Sequence, residues 1–91
     1  MQRFFFHLNS LQDVVDLEGS KLESLEDARA EALASIRDIL SDRLRGGSPV
    51  EVVSVRICNE AGELLDEVYV DEVLRRVFPP ETLVRLIRPE L

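Results

Sequence analysis

His7 and Cys58 are the only histidine and the only cysteine in the sequence, so any acid–base or thiol chemistry would depend on them. A catalytic histidine needs a nucleophile and an orienting carboxylate nearby, and no motif around His7 supplies either. A single cysteine without a second Cys or a His at motif spacing gives no nucleophile or zinc signature. The sequence therefore predicts no catalytic, cofactor-binding or metal-binding residues. A small hydrolase or metal-dependent enzyme built around His7 is one alternative that stays open.

Two sets of charged side chains could bind a partner instead. Four carboxylates fall within about 60° of one another on a helical wheel; they are Asp27, Glu31, Asp38 and Asp42. Four arginines lie near the C-terminal end; they are Arg75, Arg76, Arg85 and Arg88. The simplest interpretation of the carboxylates, which we call the acidic stripe, is a solvated helix face. The functional interpretation is a docking surface for a basic partner or for the chain's own arginines.

Phe5 and His7 form a third candidate, because they share one side of a predicted first strand. Aromatic side chains on an open sheet can stack nucleic-acid bases or anchor a protein. The formal net charge of −7 repels phosphate backbones and disfavours nucleic acid. A protein partner or a second copy of the chain is favoured, and a nucleic-acid-binding module using this aromatic face and the C-terminal arginines is the alternative.

The elements that would position these residues can be identified from local patterns. The aromatic run over residues 3–8 predicts a strand that buries Phe4, Phe6 and Leu8. Residues 14–17 could add a short edge strand. Ser24 begins a capping pattern, and Gly46 and Gly47 end the helix that follows. At 100° per residue the helix has one apolar arc, which comprises Leu25, Ala28, Ala32, Leu33, Ile36, Ile39, Leu40 and Leu44.

Two β-branched segments on either side of the turn at residues 59–62 predict a β-hairpin. Alternation in the first arm buries Val53, Val55 and Ile57. Alternation in the second arm buries Leu64, Val68 and Val70. Asp66 would then point toward the core, so a bulge or the rim of the sheet must relieve its carboxylate. After Val70 the pattern becomes helical, and Pro79 and Pro80 interrupt it.

These elements predict an α+β fold with β-α-β-β order. Its antiparallel sheet has three strands, or four if residues 14–17 pair, and the helix from about Leu25 to Arg45 covers one face. We expect one domain over residues 1–91, in which residues 71–91 form an extension of short helices. One long helix covers only one sheet face, so the other face would be open to a partner.

Five short motifs, taken in order, resemble a known family. They are Arg3-Phe4-Phe5-Phe6-His7-Leu8, Asp16-Leu17-Glu18-Gly19, Ala28-Arg29-Ala30-Glu31-Ala32, Arg45-Gly46-Gly47 and Asn59-Glu60-Ala61-Gly62. Over about residues 1–70 the chain resembles the small bacterial proteins of the domain of unknown function 6894. The resemblance implies an α+β fold with a strand, a helix and a hairpin, and a bacterial origin; it carries no activity. Asp66 replaces an apolar strand residue of that family, and the segment after Asp71 extends past its usual end.

Composition narrows the functional class further. At 45% hydrophobic and 32% charged residues the chain is typical of a globular domain, and no apolar run is long enough to cross a membrane. The N-terminal residues lack a signal-peptide pattern, and a lone cysteine gives no support for secretion, so we expect the cytoplasm. The prediction is a non-enzymatic protein-interaction module that could self-associate through a sheet face or edge. No small-molecule substrate is identifiable.

Overall fold

The strands and helices follow the expected order, with one short strand added before the long helix. The computed structural model describes residues 1–87. Its elements are β1 (Gln2–Ser10), β2 (Ser20–Leu22), α1 (Leu25–Gly46), β3 (Val52–Cys58), β4 (Leu64–Tyr69), α2 (Val70–Val77) and α3 (Pro80–Ile87). The strands form one antiparallel sheet in the order β2-β1-β3-β4. The predicted α+β class, the four-stranded form of the sheet and the short C-terminal helices are confirmed.

The edge strand next to β1 lies later in the chain than the sequence predicted. Residues 20–22 pair with residues 2–4, whereas of residues 14–17 only Val14 forms a bridge, to Leu8. Gly19 makes this possible because its φ of 71° is favourable for glycine alone. A Cβ at that position would lie 2.9 Å from the Phe4 carbonyl oxygen, so the chain can pass this close to β1 only without a side chain.

Helix α1 begins and ends where its capping residues predict. The Ser24 hydroxyl accepts a hydrogen bond from the Asp27 N–H at 3.1 Å, and Gly47 closes the other end with a φ of 70°. The middle of the apolar arc is buried, but Leu44, predicted to be buried, is 80% exposed, and Leu25 is also exposed. A 22-residue helix spans about 33 Å, and seven-residue β3 spans only about 23 Å, so the helix ends extend past the sheet.

Two β-bulges change which hairpin residues are buried. Ser10 pairs with Val52 and Asn9 pairs with Ser54, which leaves Val53 without an opposite residue. Val52 is therefore buried and Val53 is 50% exposed, the reverse of the prediction from alternation.

The second bulge lies between Ile57 and Cys58, which pair with Asp66 and Leu64. Leu64 is exposed, so its predicted burial is wrong, because the shift in register turns the start of β4 away from the core. At the other end β4 stops at Tyr69, and Val70 is the first residue of α2 rather than a strand residue.

The inward carboxylate of Asp66 is compensated by Arg29 of α1. Arg29 Nη1 lies 2.8 Å from Asp66 Oδ2, and its Nη2 binds Glu72 of α2. The hydrogen bonds that Arg29 donates to Glu72 and to Asp66 raise the pKa of its guanidinium. All three side chains lie at the rim of the sheet, where each is about one quarter to one third exposed. The bulge beside Asp66 and its position at the rim keep its carboxylate from being fully buried. Arg29, which the sequence analysis did not anticipate here, joins α1, β4 and α2.

Helix α2 packs beside α1 on the same face of the sheet. Val73 is 2% exposed and belongs to the same apolar core as Phe4, Ile36 and Ile57. The core is thus completed by a residue beyond Asp71. Within the described residues, no helix is long and apolar enough to cross a membrane.

Truncating Val73 should destabilise the whole domain. We expect Val73→Ala to lower the free energy of unfolding by about 2 kcal/mol, because it removes buried methyl groups and leaves a cavity. Val77→Ala is the matched control, since Val77 is 62% exposed and should change stability by less than about 0.5 kcal/mol. Urea unfolding followed by circular dichroism measures both. Equal losses in the two variants would mean that α2 does not contribute to the core.

Candidate functional site

The face of the sheet opposite α1 and α2 is the surface we call the open face. Because Phe4 and Phe6 of β1 pack toward the helices, Phe5 and His7 point the other way. Cross-strand pairing places two rows of side chains on this face: His7 beside Arg56 and Glu67, and Asn9 beside Ser54 and Tyr69. Cys58 lies opposite Phe5 in the next row. The open face is therefore part aromatic and part polar.

A network of hydrogen bonds joins the polar residues of the open face. The Ser54 hydroxyl is fully buried, donates to Glu67 Oε2 at 2.5 Å and accepts from Asn9 Nδ2 at 3.2 Å. Arg56 Nε lies 3.4 Å from the same Glu67 oxygen. The Ser54 hydroxyl is the main cause that lowers the pKa of Glu67, and the hydrogen bond to Glu67 raises the pKa of Tyr69. The positive and negative charges of this face are thus paired with each other before any partner arrives.

The loop between β1 and β2 is held against β1 by Asp16. Its backbone N–H donates to His7 Nδ1 at 3.0 Å. Its carboxylate accepts from the backbone N–H groups of Phe6, Glu18 and Gly19 at 3.1 to 3.2 Å. Burial alone would raise the pKa of Asp16, but the three backbone donors, helped by His7, lower it below its usual value. The carboxylate is therefore a structural anchor for the loop.

The contact at His7 bears on the enzymatic alternative. In a catalytic triad a carboxylate accepts from Nδ1–H and orients the imidazole. Here Nδ1 accepts from an amide, which assigns the ring proton to Nε2 and leaves Nδ1 with no proton to give a carboxylate. Among residues 1–87, His7 Nδ1 therefore contacts an amide at the position where a catalytic triad has its carboxylate.

A surface pocket of about 310 Å³ opens beside His7. It lies between the β1–β2 loop, which supplies Asp13 and Val15, and the hairpin turn, which supplies Gly62. Arg56 and Cys58 form its floor on β3, and further lining residues are Leu8 and Val14. The pocket thus combines cationic and hydrogen-bonding groups with an apolar wall.

The structure does not bring the predicted site residues together. Phe5 and His7 are half-buried on the open face, whereas the acidic stripe (Asp27, Glu31, Asp38 and Asp42) is exposed on the outer side of α1. Arg75 and Arg76 are exposed on α2, and Arg85 is exposed on α3. Arg88 lies outside the described residues. Two of these charges have local partners, since Asp42 lies near Arg45 and Arg75 near Asp71. A binding role for any of them stays a prediction.

Sequence reasoning missed Arg56, Glu67 and Asp16. Alternation along β3 was sufficient to place Ser54 and Arg56 on the same side as Cys58. The pairing of Arg56 with Glu67 depends on the register of the hairpin, which local patterns do not specify. Asp16 had a weaker signal, an Asp three residues before a glycine, which is typical of a side chain that caps a turn.

A known protein family matches most of the chain described above. The model of the family described as Domain of unknown function (DUF6894) matches residues 3–71. The chain belongs to this family. The match includes α1, the open face and all of the sheet except Gln2, and it ends at the second residue of α2. No curated protein and no solved structure matches the chain. The resemblance expected from the five motifs is confirmed, and Val73 and Glu72 lie beyond the matched segment.

Removing the Asp16 carboxylate should loosen the loop from β1. We expect Asp16→Ala to lower the free energy of unfolding by about 1 to 2 kcal/mol at neutral pH, because three backbone donors lose their acceptor. Since folding lowers the pKa of Asp16, its contribution is complete above the ordinary aspartate value of about 3.9 and is lost as the pH falls through the lower folded value.

Urea unfolding of the wild type and the variant at a series of pH values measures this difference. Asp13→Ala is the control in the same loop, since the exposed Asp13 carboxylate accepts one hydrogen bond from the described residues, from Ser10 N–H. A wild-type advantage that is the same at pH 2 and pH 7 would contradict the assignment of Asp16 as a charged anchor.

Proposed function

We propose that the chain is a non-enzymatic protein-interaction module whose binding surface is the open face of its sheet. The observation that carries the proposal is that α1 and α2 lie on the same face of the sheet. The opposite face, the open face, is therefore covered by neither helix. On that open face Tyr69 is 46% exposed, and Phe5 and His7 are half-buried. Aromatic and arginine side chains are enriched at the centres of protein interfaces, which is the composition found here.

The paired charges also suit a protein partner. A charge that loses water on binding costs much more free energy when it is unpaired than when it already has a hydrogen-bonded partner of opposite sign. Arg56 and Glu67 have each other, and Ser54 also donates to Glu67. A partner could therefore cover this surface without leaving either charge unpaired.

The edges of the sheet disfavour binding by strand addition, which leaves the open face as the favoured binding surface. At the outer edge, β4 carries Asp66 and Glu67 next to a bulge, and such features block edge pairing. A second β4 related by a twofold axis would also bring like carboxylates together at the centre of the contact. The opposite edge of β1 is occupied by β2 and by Val14. If the partner is a second copy, it would bind through the open face.

The two alternatives have less support. For nucleic acid, the open face supplies Arg56, whose charge is balanced by Glu67, and Arg75 is paired with Asp71. The chain as a whole carries a net charge of −7, which opposes phosphate binding. For an enzyme, the Nδ1 of His7 is already used by the Asp16 amide. A bacterial cytoplasm remains the proposed setting, because Cys58 is a buried free thiol, as is usual in a reducing compartment.

Site-specific photo-crosslinking in cells tests the proposal. The photoreactive residue benzoylphenylalanine replaces Phe5 or Tyr69 on the open face, both of which are aromatic already. Matched controls carry it at Leu44 and Val77, which are more exposed but lie on α1 and α2. We expect a discrete crosslinked protein from the open-face positions, identified by mass spectrometry either as a second copy or as another protein.

The controls decide the outcome. Crosslinks only from Leu44 and Val77, or crosslinks to RNA alone from Phe5 and Tyr69, would contradict a protein-binding open face. Absence of a crosslink at all four positions in cells that express the family member would also contradict it.

A further inference from the structure

The pocket beside His7 places two hydrogen-bond donors side by side. His7 and Arg56 are directly opposite each other in the β1–β3 pair, so their Cβ atoms are about 5 Å apart. The Asp16 amide binds His7 Nδ1, and in the part of the chain that the structure describes no group accepts from the Nε2–H, which can donate to a ligand at the pocket. Within residues 1–87, Arg56 makes its ion pair through Nε, so its terminal nitrogens still have donors to offer. Both residues line the same pocket.

These donors match a single carboxylate. Guanidinium and imidazole N–H groups bind carboxylate and phosphate oxygens through charge-assisted hydrogen bonds. Asp13 at the edge of the pocket and the net charge of −7 oppose a doubly charged phosphate more strongly than a singly charged carboxylate. The ligand group with the lower charge is therefore favoured.

The rest of the pocket indicates what the carboxylate is attached to. The apolar wall of the pocket consists of Val14 and Val15 of the loop, and Cys58 lies on the floor beside Arg56. The Leu8 side chain packs against the core. Its volume of about 310 Å³ lies at the lower limit of small-ligand pockets. That space suits one amino-acid residue with an aliphatic side chain, bound with its carboxylate toward His7 and Arg56.

We propose that this pocket binds the carboxyl terminus of a partner protein that ends in an aliphatic residue. This inference rests on the proposed function, because it names the chemistry by which the open face recognises a protein. A chain terminus presents a carboxylate and a side chain on the same carbon atom. It therefore reaches the two donors and the apolar wall together, which an internal acidic side chain does not.

Nuclear magnetic resonance titration of the full chain tests the proposal. The probe is a short peptide that ends in leucine with a free carboxylate, and its control is the same peptide with an amidated terminus. We expect the free peptide to shift the resonances of Val15, His7 and Arg56. The amidated peptide should bind at least about tenfold more weakly, since a charge-assisted hydrogen bond is lost.

Variants of the pocket test the same assignment. Arg56→Gln should weaken binding of the free peptide by about tenfold or more. The control Arg37→Gln removes an equal charge from an exposed position on α1 and should leave binding unchanged. If Arg56→Gln does not fold, Val15→Asp gives an independent test. Val15 is exposed, so the variant should fold, and its carboxylate in the pocket wall should abolish binding by repulsion.

Several results would overturn the inference. Equal binding of the free and amidated peptides would show that the carboxylate is not recognised. Binding of the small acid isovalerate without binding of the peptide would assign the pocket to a free metabolite rather than a protein terminus. Absence of shifts with every probe would remove the pocket as a site. A protein crosslink from Phe5 or Tyr69 in that case would leave the proposed function standing.

Discussion

The bridge from Arg29 to both Asp66 and Glu72 holds α2 on the same side of the sheet as α1. Arg29 belongs to α1, and its two ion pairs draw β4 and α2 to the same rim of the domain. Val73, one residue after Glu72, then enters the core beside α1. An ion pair at a partly exposed rim contributes little stability alone, but here it selects a location that apolar burial completes. Because α1 and α2 share one face of the sheet, neither of them covers the open face.

The segment that matches the family model is shorter than the segment that builds the apolar core. The family match ends at residue 71, whereas the apolar core includes Val73. A copy of this chain cut after Asp71 would lose both Glu72 and a fully buried valine. Loss of binding by such a copy would reflect a damaged core as much as a missing contact. A cut after Val77 keeps both residues. It is therefore the appropriate boundary for testing whether the residues that follow α2 contribute to binding.

The parts of the fold that sequence predicted are those determined by neighbouring residues. The Ser24 cap, the Gly47 end and the buried middle of α1 depend on short spacings, and all three were correct. The errors at Val53 and Leu64 come from bulges, which depend on how two distant strands align. Asp66 was recognised as a difficulty because alternation directed it inward. Its solution, an arginine 37 residues away in the chain, required the packed structure.

The candidate site shows the same division between local and distant determinants. Alternation was enough to put Phe5 and His7 on a shared face, but the hydrogen bonding of His7 is determined by Asp16, nine positions later in the chain. The Asp16 amide sets the proton position of His7, and the Asp16 carboxylate holds the loop against β1. Val15, which forms part of the apolar wall of the pocket, is the residue immediately before it. One aspartate thus positions a donor and an apolar contact of the same pocket, so the order of the loop and the geometry of the pocket are physically coupled.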